Sequence, residues 1–278
     1  MTKKSADEIR RAVREGYAEV ARGSCSCCGP SGSCCGGAPA VSRSIGYSAD
    51  DIAAVPYGAD LGLGCGNPVA LASLRPGETV LDLGSGAGID CFLAARQVGP
   101  TGRVIGVDMT PEMVERARSN ARRSGLTNVE FRRGEIEHLP VADNSIDVVI
   151  SNCVINLSPD KPQVFREAFR VLRPGGRLMV SDIVLAAPLP QTLLDSAAAY
   201  VGCISGASLR DDYLGMIALA GFIHVAVVSE DRFPVEVPAR DPTLAALKRD
   251  SGLSDEELRT AAAGVMSIKV SAVKPKKA

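Results

Sequence analysis

Residues 80–90 constrain the fold of this chain more than any other stretch. They begin with a short apolar run at 80–83 and continue with glycines at alternate positions, Gly84, Gly86 and Gly88. A helical pattern follows immediately. An apolar strand, a tight glycine turn and a helix whose first N–H groups point at a ligand are typical of nucleotide-binding units. The stretch therefore predicts a buried strand at the start of an α/β domain, with a ligand bound at its end.

Strand and helix patterns alternate after this point. We predict strands at 79–83, 103–108, 129–133, 148–152 and 177–183, and helices at 89–98, 111–124, 161–172 and 192–202. This alternation indicates βαβ units and hence an α/β, Rossmann-like fold, with a mainly parallel sheet and helices on both faces. Upstream, a capping-box pattern opens a helix at 5–22, and a short helix is predicted at 68–73.

The pattern weakens after about residue 186. We expect helices at 209–220 and 254–264 and strands at 223–229 and 265–273, which could complete the sheet and add a small cap domain. We divide the chain into an N-terminal helix and Cys-rich arm (1–40), a main domain (41–220) and a small α+β C-terminal domain (221–278).

Composition limits the location and partners of the protein. Its 278 residues carry a formal charge of −1, so the chain lacks the excess of basic residues that is typical of nucleic-acid-binding proteins. No apolar run approaches the roughly 18 residues that span a bilayer. Nine cysteines, an odd number, occur in a long αβ pattern, which favours reduced functional thiols over a disulfide framework. These observations predict a soluble cytoplasmic protein without membrane or nucleic-acid partners.

The charges around the glycine loop favour one class of nucleotide ligand. Asp108 follows the last glycine by about twenty residues, where a carboxylate can accept hydrogen bonds from two ribose hydroxyls. A dinucleotide site prefers a further glycine where Ile89 stands. Asp82 and Asp90 flank the loop and disfavour a pyrophosphate but suit a cation. The loop therefore favours S-adenosylmethionine, which carries an ammonium and a sulfonium, over NAD.

Further residues extend this predicted donor site. Glu135, in the turn after the third strand, is placed to bind the adenine amino group, while Ile136 packs on the ring. Asn152 closes the fourth strand beside the methionine end. The complete predicted donor-binding set is Asp82, Gly84, Ser85, Gly86, Gly88, Asp108, Met109, Glu135, Ile136 and Asn152.

Cysteines outside the loop are the second unusual feature. The Gly/Ser/Cys-rich segment 23–40 holds Cys25, Cys27, Cys28, Cys34 and Cys35. It is either a thiol-rich linker or an arm that captures a soft ion or exchanges disulfides. Cys65 and Cys203 lie beside glycines, and Cys153 ends a strand at the ligand-binding edge of the sheet. We predict that all three thiols are exposed, whereas Cys91 is a small core residue.

These motifs together resemble the arsenite methyltransferases of prokaryotes. The resemblance lies in residues 151–157, Gly64-Cys65-Gly66, the 82–86 loop and Gly202-Cys203, and it extends over about residues 20–220. It implies that trivalent arsenic binds to three thiolates, at Cys65, Cys153 and Cys203, and accepts methyl groups from S-adenosylmethionine. Soft thiolates suit such a thiophilic centre, and the arsenic lone pair then serves as the nucleophile.

The resemblance also implies partners and a redox step. Family members use an arm cysteine that cycles through a disulfide with the thiol at Cys65, for which Cys28 and Cys35 are our candidates among five. Arsenite and methylarsenite are the implied substrates, and glutathione or thioredoxin the implied reductants.

Two other functions remain open from the sequence. A small-molecule C- or O-methyltransferase of the quinone-biosynthesis type would explain the loop and Asp108, but not the cysteines. A thiol-based metalloid-binding or redox protein would bind arsenite without using the methyl donor.

Overall fold

A computed structural model describes residues 5–22, 38–194, 206–232 and 253–276. In these segments the strands are β1 (Thr79–Leu83), β2 (Arg103–Asp108), β3 (Val129–Arg133), β4 (Ile146–Asn152), β5 (Leu172–Leu185), β6 (Ile223–Arg232) and β7 (Val265–Val273). The helices are α1 (Ala6–Ala21), α2 (Ala38–Ser44), α3 (Ala49–Ala54), α4 (Pro68–Leu71), α5 (Ile89–Val98), α6 (Pro111–Ser124), α7 (Lys161–Val171), α8 (Gln191–Leu194), α9 (Arg210–Leu219) and α10 (Asp255–Ala263). A 3-10 turn spans Ile155–Leu157.

The strands form a single seven-stranded sheet in the order β3-β2-β1-β4-β5-β7-β6. Neighbouring strands from β3 to β5 are parallel, while β7 is antiparallel to both β5 and β6. The strand order reverses between β1 and β4. In open α/β sheets ligands bind beyond the carboxyl ends of the strands at such a reversal, so the topology places a site at the ends of β1, β2, β4 and β5.

Apolar layers cover both faces of the sheet. Val80 packs on one face in a cluster with the apolar side of α5, and Leu81 packs on the other in a cluster with α7. Both side chains are fully buried. Burial on both faces explains why the central strands are mostly apolar, without a regular alternation of apolar and polar residues. The resulting rigid layers hold the strand ends in fixed positions.

Most of the predicted elements are confirmed. The strands at 79–83, 103–108, 129–133 and 265–273 and the helices at 89–98 and 111–124 have the predicted bounds. The capping box is present, since the Ser5 side chain accepts from the Glu8 N–H and the Glu8 side chain accepts from the Ser5 N–H. Of the helix predicted at 192–202, residues up to 194 are described as part of α8, and the rest lies outside the described residues.

The sequence reasoning missed two helices. Ala38–Ser44 and Ala49–Ala54 are both helical, and the second begins with a capping box of Ser48 and Asp51 that could have identified it. In the C-terminal region, β6 and β7 are strands of the main sheet. The division of the chain into domains stays a prediction.

No helix in the described part of the chain is long and apolar enough to cross a membrane.

Candidate active site

A cleft opens at the carboxyl ends of β1, β2 and β4, where the topology places a ligand. Its empty space, including the part open to solvent, is about 1030 Å³. The glycine loop forms its floor, and the α1 side chains Arg10, Val13 and Tyr17 line it from above. Of the predicted donor residues, those along the cleft wall are Asp82, Gly84, Ser85, Gly86, Asp108, Met109, Ile136 and Asn152.

The three loop glycines have positive φ angles of 65° at Gly84, 51° at Gly86 and 101° at Gly88. A Cβ at Gly84 would lie 2.3 Å from Cγ2 of Val154, so a side chain there is excluded. A Cβ at Gly86 would meet no atom within 4 Å. Gly86 thus leaves its backbone open to the cleft, as a loop that binds a ligand through main-chain groups requires.

Asp108 shapes the glycine loop from the end of β2. Its Oδ2 accepts a hydrogen bond of 2.9 Å from the Gly86 N–H, and its Oδ1 accepts one of 2.8 Å from the Thr110 N–H. Burial raises the pKa of Asp108, and the two backbone donors oppose that rise. The carboxylate therefore fixes the loop and also borders the cleft.

Two further carboxyl groups lie beneath the loop. Asp82 and Asp90 are 2% and 4% exposed. The Cys91 thiol donates to Asp82 Oδ2 at 3.2 Å, and the Tyr47 hydroxyl donates to Asp90 Oδ1 at 2.7 Å. Burial raises the pKa of Asp90 to about 6. Burial, with the adjacent Asp90 charge, raises the pKa of Asp82 well above its usual range. A cationic ligand bound at this floor would favour the ionised forms of both carboxyl groups, so the floor suits a cation.

The turn after β3 differs in detail from its predicted role. Glu135 forms ion pairs of 3.6 Å with both Arg10 and Arg14 of α1. Its neighbour Glu137 is 4% exposed, lines the cleft and accepts a hydrogen bond from the Ser158 hydroxyl at 2.7 Å. The contact of Glu135 with adenine stays a prediction. The ion pairs of Glu135 also hold helix α1 against the cleft.

Asp60 is a cleft residue that the sequence reasoning missed. Its Oδ1 accepts hydrogen bonds from the Ser42 hydroxyl and the Gly62 N–H, at 2.7 and 2.9 Å. Its Oδ2 is buried and accepts no hydrogen bond from the described residues. A buried carboxylate oxygen in this position is a natural acceptor for an N–H donor of a ligand.

Asn152 connects the donor end of the cleft to the cysteines. Its side-chain oxygen accepts from the Cys65 N–H at 3.0 Å, and its amide nitrogen lies 2.8 Å from the Gly66 carbonyl. The same nitrogen is 2.8 Å from the Tyr47 hydroxyl and 3.1 Å from Asp90 Oδ2. Asn152 therefore holds the Cys65 loop against the floor of the donor site.

Cys65 and Cys153 come together beside Ser181 of β5, next to the end of β4, although 88 positions separate them in the numbering. The Ser181 carbonyl accepts from the Cys153 N–H at 2.8 Å and from the Cys65 thiol at 3.4 Å. Cys153 takes a left-handed backbone conformation, with φ of 58°. Such strain persists only where the surroundings hold it and is common at functional sites.

The prediction that these thiols are exposed is wrong. Cys65 is 4% exposed and Cys153 6% exposed. A Cβ at Gly64 would lie 2.6 Å from Asn152 Nδ2, and one at Gly66 would lie 1.9 Å from Ser181 Oγ. The glycines beside Cys65 therefore permit close packing rather than exposure. Cys153 still borders the cleft.

Asp182 is the second group that the sequence reasoning missed. Donor atoms of Cys65, Cys153 and Asp182 all lie within 4.8 Å of one another, and the three residues are buried. Asp182 is fully buried, and burial raises its pKa to about 7. Its position directly after Ser181, at the end of a predicted sheet strand, was a signal that could have identified it.

The other predicted thiols cannot be placed. Cys203 and the arm residues Cys28 and Cys35 lie outside the described residues. Cys91 is fully buried in the α5 cluster, as predicted.

The fold and the cleft define a class I methyltransferase, the class that uses S-adenosylmethionine as methyl donor. The defining features are the sheet order, the glycine loop after the first strand and the acidic residue at the end of the second strand. A family described as a methyltransferase domain matches residues 74–221. An arsenite methyltransferase of Halobacterium salinarum is 54% identical over 81% of this chain and 60% of its own length. One from Aquipseudomonas alcaligenes is 44% identical over 60% of this chain and 50% of its own length.

A solved structure agrees with these relatives. The crystal structure of an arsenic (III) S-adenosylmethionine methyltransferase from Chlamydomonas reinhardtii is 32% identical, with a TM-score of 0.60, over 85% of this chain and 73% of that chain. The chain belongs to the arsenite methyltransferase family. It spans 60% and 50% of the lengths of the two sequence relatives named above.

Proposed function

We propose that this protein transfers methyl groups from S-adenosylmethionine to trivalent arsenic held by the thiolates of Cys65, Cys153 and Cys203. The observation that carries this proposal is the meeting of the Cys65 and Cys153 sulfurs, within 4.8 Å, at the sheet edge beside the donor cleft. A quinone-type methyltransferase has no need of two thiols there. Cys203 enters the set through its resemblance to the family motif.

The cleft residues fit the methyl donor. Gly86 leaves room for a ligand against the backbone, Asp60 offers a buried acceptor oxygen, and Asp108 borders the cleft from β2. We assign Asp108 to the ribose and the carboxylates near the loop to the cationic methionine end. When bound, S-adenosylmethionine supplies a methyl group on a positively charged sulfur, and the arsenic lone pair accepts it.

The protein residues act on arsenic mainly by binding and orientation. When three thiols replace the three hydroxyls of arsenite, three As–S bonds form and three water molecules leave, so no redox change accompanies binding. Three sulfur ligands leave arsenic its lone pair. Cys153 borders the cleft, so arsenic bound to it faces the donor. Such alignment can contribute an effective molarity of about 10⁵ M or more.

Repeated turnover needs a reductant because methyl transfer formally oxidises arsenic from the trivalent to the pentavalent state. We propose that external thiols, glutathione or thioredoxin, supply these electrons, and that an arm cysteine, Cys28 or Cys35, relays them by disulfide exchange with Cys65. Methylarsenite is then the substrate of a second round. Such reductants are abundant in the cytoplasm, where we expect the protein to act.

A radiolabel assay tests the proposal. The purified chain is incubated with arsenite, glutathione and methyl-labelled S-adenosylmethionine, and arsenicals are separated by chromatography. We expect labelled methylarsenicals from the native chain and from Gly215→Ala, a change outside the cleft at a position with open space for a Cβ among the described residues. Absence of labelled methylarsenicals from a preparation that binds both substrates would refute methyl transfer and favour a metalloid-binding protein. Label on a quinone-like acceptor instead would favour the other methyltransferase.

A further inference from the structure

The geometry points to a binding site for a borderline-soft divalent cation, Zn²⁺ or Cd²⁺, formed by Cys65, Cys153 and Asp182. The site overlaps the proposed arsenic site but has a different donor set, two sulfurs and one carboxylate oxygen. Metal binding itself does not depend on the proposed function. Only its consequence, competition with arsenic, depends on that function.

The donor set is compact and inside the protein. The two sulfurs and a carboxylate oxygen all lie within 4.8 Å of one another. Exposure is 4% at Cys65, 6% at Cys153 and 0% at Asp182. A mixed set of thiolate and carboxylate ligands is typical of Zn²⁺, which takes three protein ligands and a water at open sites. A carboxylate is, in contrast, a poor ligand for a strongly thiophilic centre.

The carboxylate of Asp182 is oriented as a metal ligand is. Its Oδ1 accepts hydrogen bonds from the Asn156 amide at 2.8 Å and the Ile183 N–H at 2.9 Å. The Tyr213 hydroxyl donates to Oδ2 at 3.0 Å. These hydrogen-bond partners are electrically neutral, and they fix the orientation of the carboxyl group. Ligating carboxylates commonly have such hydrogen-bonded partners behind them.

The backbone around the two thiols is equally constrained. The Ser181 carbonyl accepts from the Cys65 thiol and the Cys153 N–H, and Gly66 packs directly on the Ser181 side chain. The Ser267 hydroxyl donates to the Cys65 carbonyl at 2.9 Å. The donors are thus held near one another before any ion binds. Preorganisation of this kind favours binding by reducing the ordering cost.

The cleft gives a cation access to the site, and binding exchanges protons for the metal. Cys153 lines the cleft, which gives access from solvent and leaves room for a water ligand. Binding forms two metal–sulfur bonds and one metal–oxygen bond, and the protons of the two thiols, with any proton on the Asp182 carboxyl, pass to solvent. Affinity therefore rises with pH, as for other thiolate sites. A bound cation occupies the sulfurs that arsenic requires.

Cadmium titration tests the site. The full chain is used, reduced and without methyl donor, with the five arm cysteines changed to serine so that they cannot bind metal. We expect one equivalent of Cd²⁺ to produce a thiolate-to-cadmium charge-transfer band, and Cys65→Ser and Cys153→Ser to abolish it. Asp182→Asn should weaken binding roughly tenfold or more, whereas the matched control Asp211→Asn, at an exposed carboxylate, should bind as the parent does.

A second measurement needs no change at Asp182. Co²⁺ added to the same parent should give the absorption spectrum of a tetrahedral site with two thiolates and a carboxylate, and one equivalent of arsenite should remove it. An octahedral spectrum, cadmium binding in the Cys65→Ser variant, or an unchanged affinity in a folded Asp182→Asn variant would each overturn the inference. Loss of methylation activity would leave the metal result unaffected.

Discussion

The two ends of the cleft are built in different ways. The donor end is local in sequence: the loop at 84–88 and Asp108 belong to consecutive elements, and Asp108 directly binds the Gly86 N–H. The thiol end joins residues from distant segments, Cys65, Cys153 and Asp182. Asn152 connects the two ends. Under the proposed function, a local motif binds the methyl donor, whereas tertiary packing forms the site that receives the methyl group.

Replacing a thiol should affect one end only. We expect Cys153→Ser to reduce arsenic methylation by at least about 10²-fold, since misplacement of a reacting group by 1 Å can already cost that much. Binding of S-adenosylmethionine, measured by calorimetry, should change little. Equal loss of donor binding would show that Cys153 is a structural part of the whole cleft. Gly215→Ala, at a position outside the cleft where a Cβ has open space among the described residues, is the control, with activity close to that of the native chain.

Gly66→Ala tests whether packing fixes the Cys65 loop. The new Cβ would lie 1.9 Å from Ser181 Oγ, so the loop must move. We expect methylation to fall about 10-fold to 100-fold with donor affinity retained. Adding Ser181→Ala removes the closest clashing atom and should restore part of the activity. Gly215→Ala, where a Cβ meets no atom within 4 Å, should be neutral. Normal activity in Gly66→Ala would contradict a packed loop.

Asp108→Asn should have the opposite effect to a thiol replacement: it should weaken binding of the methyl donor and leave arsenite capture unchanged. The carboxylate accepts hydrogen bonds from two backbone N–H groups. An amide side chain has only one acceptor oxygen, so its NH₂ group would face one of these N–H groups and that hydrogen bond would be lost. Loss of a hydrogen bond to a charged group should weaken donor binding by about 10-fold to 100-fold. Arsenite capture, followed as protein-bound arsenic after gel filtration, should be unchanged. Reduced capture would mean that the ends are not independent.

Buried carboxyl groups at the two ends should give different pH profiles of stability. Folding raises the pKa of Asp90 to about 6 and of Asp182 to about 7, above the usual value of about 3.9. The folded state therefore binds more protons, and each contribution to stability is complete below about pH 4 and is lost as pH rises through the folded pKa.

Substitution by asparagine separates these two contributions. In the native chain the unfolding temperature should decline as each carboxyl group ionises. We expect Asp90→Asn to reduce this decline between about pH 4 and 6, and Asp182→Asn to reduce it between about pH 4 and 7. Each reduction should be on the order of 1 kcal/mol in the free energy of unfolding, or about 2 to 4 °C in the unfolding temperature. Asp211→Asn, at a side chain that is 91% exposed, is the control. An unchanged slope in Asp182→Asn would mean that its carboxyl ionises normally.

The sequence was most informative where physical constraints are local. Strands buried on both faces are mostly apolar, so β1 and β2 were predicted with the observed bounds. The glycine spacing and Asp108 are likewise local signals, and the structure places the loop along the cleft. The helix Ala49–Ala54 was missed because its apolar periodicity is weak, although its capping box is present.

The thiol end was only partly predictable. Adjacent glycines indicated an exposed Cys65, yet Gly66 is needed for the opposite reason, close contact with Ser181. A lone glycine does not specify which of these two roles it has. Asp182 carried no motif, and its proximity to Cys65 depends on how the Cys65 loop folds onto β5. Such long-range contacts follow from packing of the whole domain.

The central claim is that the thiols beside the cleft, rather than the arm cysteines, hold the arsenic that is methylated. Anomalous diffraction at the arsenic absorption edge, from crystals of the full chain grown reduced with arsenite, tests it most directly. The account predicts one strong arsenic peak bonded to the sulfurs of Cys65 and Cys153. Arsenic bound only to arm cysteines, with no peak at the ends of β4 and β5, would contradict it.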